Sequence, residues 1–103
     1  MCSLTSYSKV DFLIASHIKP WKSSSSTEKI DPYNGLLLTP NIDKLFDAGY
    51  ISFEDDGDII FSSLLTENDL IKMGISNDMK LFKVNKENKP YLKYHRESVL
   101  LNS

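Results

Sequence analysis

Four side chains suited to chemistry occur in order within ASHIKPWKSSSSTEKIDPYNGLLLTPNIDKLFDAGY, residues 15–50: His17, Asn34, Asp43 and Asp47. Histidine is the side chain whose ordinary pKa lies nearest neutrality, so it suits taking a proton from water. Carboxylates are hard oxygen donors that suit Mg²⁺ or Mn²⁺, ions held with much of their water intact. An asparagine amide can accept from one ring nitrogen of a histidine and leave the other to act as base. Together these types describe metal-assisted hydrolysis, with His17 activating water and one divalent cation at Asp43 and Asp47 meeting the charge of a phosphate. Each type also has an ordinary use: a hydrogen-bonded histidine at a strand end, an Asn-Gly turn, a solvated helix face, and Asp47 paired with a lysine.

The elements that must position them can be read from local pattern. VDFLIAS at 10–16 is short, apolar and partly β-branched, which predicts a strand ending just before His17 and pointing that side chain into a cleft. Pro20 and Trp21 stop it, with Trp21 expected as a core plug holding the histidine loop in preference to a ring for base stacking. KSSSSTEK at 22–29 is polar and lacks apolar anchors, so it reads as an exposed loop, and DPYNG at 31–35 as a turn. LLL at 36–38 suits a brief buried strand or the entry to a helix. Thr39 as cap and Pro40 at the first position start a helix whose apolar face is Ile42, Leu45 and Phe46, with Gly49 as its stop. Asp43 and Asp47, four apart, share a face beside that stripe, and their repulsion there calls for a cation or a basic neighbour.

Further along, YISFEDDGDIIFSS predicts a hairpin turning at Asp56-Gly57. Thr66 and Asp69 form a capping box for a short helix over ENDLIKM closed by Gly74, and MKLFKV at 79–84 reads as another strand or an extended packing segment. Pro90 opens a last helix over YLKYHRESVL. The expected class is α+β.

Bulk properties narrow the rest. The 103 residues, 41% hydrophobic and 11% aromatic, suffice for one domain with a small core. A net charge of -2 gives no general attraction for a polyanion, so any DNA contact must be local. Cys2 is the only cysteine, which leaves no intrachain disulfide and no cysteine zinc site. No run approaches the roughly 20 apolar residues of a membrane span, and no signal sequence is recognisable, so a soluble cytoplasmic protein with no membrane partner is expected.

The segments ASHIKPW and DPYNGLLLTPNIDKLFDAGYISF resemble the HNH endonucleases, in particular the restriction- and defence-associated branch. The likeness covers residues 2–63, with CSLTS at 2–6 resembling the start of the first strand and YLKYHRE the closing tail. It implies a beta-beta-alpha metal finger as the core motif over 2–50, with an added hairpin and C-terminal helices over 51–103, all in one nuclease domain spanning 1–103. His17 then matches the histidine that deprotonates water, and Asn34 the central asparagine that supports it and the connecting loop. Asp43, nine residues on, matches the helix-borne metal ligand, and Asp47 a second ligand found in some members. The implied activity is cleavage of DNA phosphodiesters with one Mg²⁺ or Mn²⁺, with Lys19, Lys22, Lys29 and Lys44 meeting phosphates. An upstream recognition region absent from this chain is a further expected partner. Ser16 stands where many members carry an acidic or histidine ligand, and the alternative is a catalytically inactive DNA- or protein-binding module.

Overall fold

A computed structural model describes residues 13–76, 79–81 and 84–101. Strand β1 (Ile14–His17) pairs antiparallel with β2 (Gly35–Leu38) in the register Ile14 to Leu38 through His17 to Gly35. The alternation of a strand sends Leu36 and Leu38 into the core and Leu37 to the surface. His17 is the last paired residue of β1 rather than the first beyond it; residues 10–12 of the expected strand lie outside the described residues.

The connection between these strands is more ordered than its composition predicts. Trp21–Ser23 form one 3-10 turn, and the serine run then starts a helix, α1 (Ser26–Ile30). Its start is a capping box: the Ser25 hydroxyl accepts from the Glu28 amide, while the Glu28 carboxylate accepts from the Ser25 amide. Because α1 buries no residue, it carries no apolar stripe, which is the signal whose absence suggested a loop. A second 3-10 turn, Pro32–Asn34, leads into β2.

Helix α2 (Pro40–Asp47) follows, burying Ile42, Leu45 and Phe46 as its spacing predicts. Pro40 occupies its first turn, but the Thr39 hydroxyl donates to Asn41 Oδ1 and makes no cap bond. Gly49 ends the turn with φ +83, and a Cβ there would stand 2.2 Å from the Val99 carbonyl oxygen. Glycine is thus required twice over, by backbone sign and by close approach.

The rest of the chain forms the second antiparallel ladder, β3 (Ile51–Phe53) with β4 (Ile59–Phe61), turned through Gly57 at φ +95. Helix α3 (Glu67–Lys72) has the expected Thr66–Asp69 capping box, and α4 (Lys89–Ser98) packs on β3. In MKLFKV, Lys80 makes a single bridge to Asp58; Phe82 and Lys83 lie outside the described residues. One core joins the halves, with Ile18, Leu38, Phe46, Ile51, Phe53 and Leu92 fully buried. The result is a small mixed domain of two antiparallel hairpins and helices, and no helix among the described residues is long and apolar enough to cross a membrane.

Candidate functional site

The end of β1 and the face of α2 open on one cleft of about 420 Å³, lined by Ser16, His17, Trp21, Lys22, Asp43 and Asp47 among others. The cleft therefore brings together three of the four residues singled out from the sequence. Asn34 lies behind it, fully buried.

His17 is held by one ring nitrogen. Nε2 lies 3.1 Å from the Lys29 carbonyl oxygen, and a carbonyl only accepts, so Nε2 carries the proton and donates. In the neutral ring that selects the tautomer whose lone pair is on Nδ1, a nitrogen that makes no hydrogen bond among the described residues. The Lys29 carbonyl is itself one of the unpaired acceptors at the end of α1, so a helix terminus and a ring nitrogen satisfy each other. The Trp21 ring meets the imidazole edge to face, with centroids 5.4 Å apart.

The Asn34 amide does not bond the imidazole, contrary to the role its type suggested. Its Oδ1 accepts from the Lys19 amide at 2.7 Å, while Nδ2 donates to the Glu28 carbonyl at 3.1 Å and reaches the Ser24 hydroxyl at 3.4 Å. Its own carbonyl accepts from the Ile18 amide. One buried side chain thus ties the chain just after His17 to the end of α1 that supplies the Lys29 carbonyl. It positions both halves of the His17 bond at one remove.

On α2 the two acids differ. Asp43 lies in the first helical turn, where the macrodipole favours a carboxylate, and Asp47 at the helix end, where it does not. Asp43 Oδ1 is buried without a hydrogen-bond partner among the described residues. An unpaired buried carboxylate oxygen is costly, and the group that ordinarily relieves it is a proton donor or a cation. Asp47 accepts from the Ser16 hydroxyl at 3.4 Å. Desolvation first, and then the Asp43 carboxylate, push the Asp47 pKa up, against the opposing pull of Ser16, Lys44 and His17. Asp47 has no salt bridge to lysine among the described residues.

This donor pair suits a divalent ion. Mg²⁺ in particular binds through one or two carboxylates together with water and substrate phosphate, without a full protein cage. Among the described residues no group of three or more His, Cys, Asp or Glu side chains gathers to hold a metal.

The four lysines divide. Lys19 is bound to both Glu28 oxygens at 3.0 Å and lies 4.8 Å over the Tyr94 ring. Lys29 lies 4.5 Å over the Trp21 ring. Lys22 lines the cleft and Lys44 is exposed on α2. Trp21 is 56% exposed and belongs to the cleft wall, so it is not a core plug.

Sequence reasoning missed the Lys29 carbonyl, which has no side-chain signature, and the helix that presents it. The Ser25–Glu28 spacing was the available signal for that helix. It also missed His95, which backs the same cleft from α4.

A comparison with curated proteins gives no significant match. Residues 2–54 match the family model HNH_2, described as HNH endonuclease. Members of that family act on DNA and generally use a divalent metal. The match covers just over half of the 103 residues and contains His17, Asn34, Asp43 and Asp47, and on that ground the chain belongs to the HNH endonuclease family.

Proposed function

We propose that the protein is a DNA endonuclease that hydrolyses phosphodiester bonds with one Mg²⁺ or Mn²⁺, using β1, β2 and α2 as a beta-beta-alpha metal finger. The observation that carries this reading is the juxtaposition, in one cleft, of a histidine whose Nε2 is engaged by Lys29 while its Nδ1 has no hydrogen-bond partner among the described residues, and a buried carboxylate oxygen with no partner among them. His17 Nδ1 takes a proton from a water molecule as the water oxygen forms a bond to phosphorus; the ester P–O bond breaks with its electron pair on the leaving oxygen, which takes a proton from solvent. Asn34 and the Lys29 carbonyl keep the ring from turning away. Asp43 and Asp47 would hold the cation, which supplies positive charge against the phosphate oxygens. Lys22 and Lys44, which have no salt bridge among the described residues, are the nearest candidates for backbone phosphates, a contact independent of base sequence. The likeness to restriction- and defence-associated members supports the same setting for this chain.

A second reading, a binding module without catalysis, is favoured by one observation: the residue beside the base is the neutral Ser16, whose hydroxyl is directed at Asp47. Calorimetric titration with Mn²⁺ and Mg²⁺ separates the two. The nuclease reading expects one site in the wild type, none in Asp43→Asn, and a weakened one in Asp47→Ala. Absence of a site in the wild type, alone and with DNA present, would establish the binding module instead.

A further inference from the structure

The cleft has a second unusual wall. Trp21, the only tryptophan of the chain, is 56% exposed, although a large ring is among the groups folding most profitably buries. The turn that carries it is nevertheless held in place. Pro20 precedes it, the 3-10 turn is closed by the Ser23 amide on the Pro20 carbonyl and the Ser24 amide on the Trp21 carbonyl, and the Ser24 hydroxyl bonds Lys19 and Pro20 carbonyls. The ring touches His17 edge to face, and Lys29 lies over it without a salt bridge to any described residue. An exposed indole on a hydrogen-bonded turn, with Lys29 over its ring and Lys22 beside it in the cleft lining, stands next to the proposed base.

We infer that Trp21 is a stacking platform for an unpaired base, so that the site takes single-stranded or locally opened DNA in preference to intact duplex. This rests on the nuclease reading for the identity of the substrate and deepens it. In a duplex the base faces are covered by their neighbours, whereas an unpaired base offers its flat face to an aromatic ring and is recognised with little regard to sequence. Lys29 and Lys22 would then meet the flanking phosphates, a local attraction that a chain of net charge -2 does not supply as a whole. Because the turn that carries the ring is already hydrogen-bonded, binding need not order that backbone. Its contact with His17 would set the stacked nucleotide next to the bond to be cut.

The test reads binding in EDTA, where no cleavage occurs, and exploits the single tryptophan as its own fluorophore. The full chain is titrated with a short single strand, the duplex of the same sequence, and a strand of abasic sugar phosphates. The expected result is strong quenching of indole emission by the single strand only, with affinity at least about tenfold above that for the duplex at equal salt. With labelled DNA followed by anisotropy, Trp21→Ala loses about tenfold in single-strand affinity and Trp21→Tyr retains most of it. Equal binding of single strand and duplex, quenching by the abasic strand, or a Trp21→Ala variant that binds like the wild type overturns the inference. Stacking and cleavage are read apart. Loss of the stacking preference beside His17-dependent cleavage refutes the role of Trp21 alone, whereas stacking without any cleavage supports Trp21 and refutes the nuclease reading.

Discussion

The chain has two histidines, and the regions around them use the same anchor to opposite ends. In each, Nε2 donates to a backbone carbonyl: His17 to Lys29 at 3.1 Å and His95 to Phe46 at 2.8 Å. They part at Nδ1. In His95 it accepts from the Ser52 hydroxyl at 2.8 Å, and the ring stacks on Phe46 with centroids 3.8 Å apart and planes 1° apart. His95 is 1% exposed, and burial pushes its pKa down to about 4. Both of its nitrogens are used and its proton is fixed, so it is a strut that joins α4 to β3 and to the end of α2. His17 lines a cleft, and its Nδ1 has no hydrogen-bond partner among the described residues. Residue type and first partner are alike, so the two histidines differ in what the surroundings leave unbonded, and the proposed role of His17 rests on that difference.

The comparison predicts large stability effects on one side and small ones on the other. His95→Ala, which removes a stacked ring and two buried hydrogen bonds, is expected to cost about 3 to 5 kcal/mol in urea unfolding. A cost under about 1 kcal/mol would break the distinction. The second effect is on pH. The folded state holds His95 neutral down to about 4, while the unfolded chain protonates it near its ordinary 6.5. Its contribution is therefore complete above about pH 6.5 and lost as pH falls from there toward 4, by roughly 3 kcal/mol. A His95→Phe variant, if folded, should lose that part of the slope; an unchanged slope assigns it to other groups. Ser52→Ala leaves His95 Nδ1 buried and unpaired and is expected to cost about 1 to 3 kcal/mol. His17→Ala, at the cleft edge, should change unfolding by no more than about 1 kcal/mol, and a larger loss would make His17 a strut as well.

How far the site was legible in the sequence follows the same division between side-chain and backbone signals. Helix α2 was readable because Thr39, Pro40 and the spacing of Ile42, Leu45 and Phe46 agree, and its face carries Asp43 and Asp47 into the cleft. The β3–β4 turn at Gly57 and the capping box of α3 were readable from turn and cap chemistry. Helix α1 was not, since a five-residue helix with no buried side chain has no period to detect. With α1 unseen, the Lys29 carbonyl that engages His17 Nε2 could not be derived, and Asn34 was given a direct bond that it spends on backbone. Trp21 was expected inside on average behaviour, which says nothing of a short turn that holds the ring outside.

The most direct test is nicking of supercoiled and single-stranded DNA by wild type and His17→Ala, purified in parallel with nuclease contamination excluded, in Mg²⁺ and in Mn²⁺. The wild type is expected to cut, and His17→Ala to cut at least about a hundredfold more slowly with its unfolding curve nearly unchanged. Equal cleavage by the two proteins in both metals would contradict the assignment of His17 as the base.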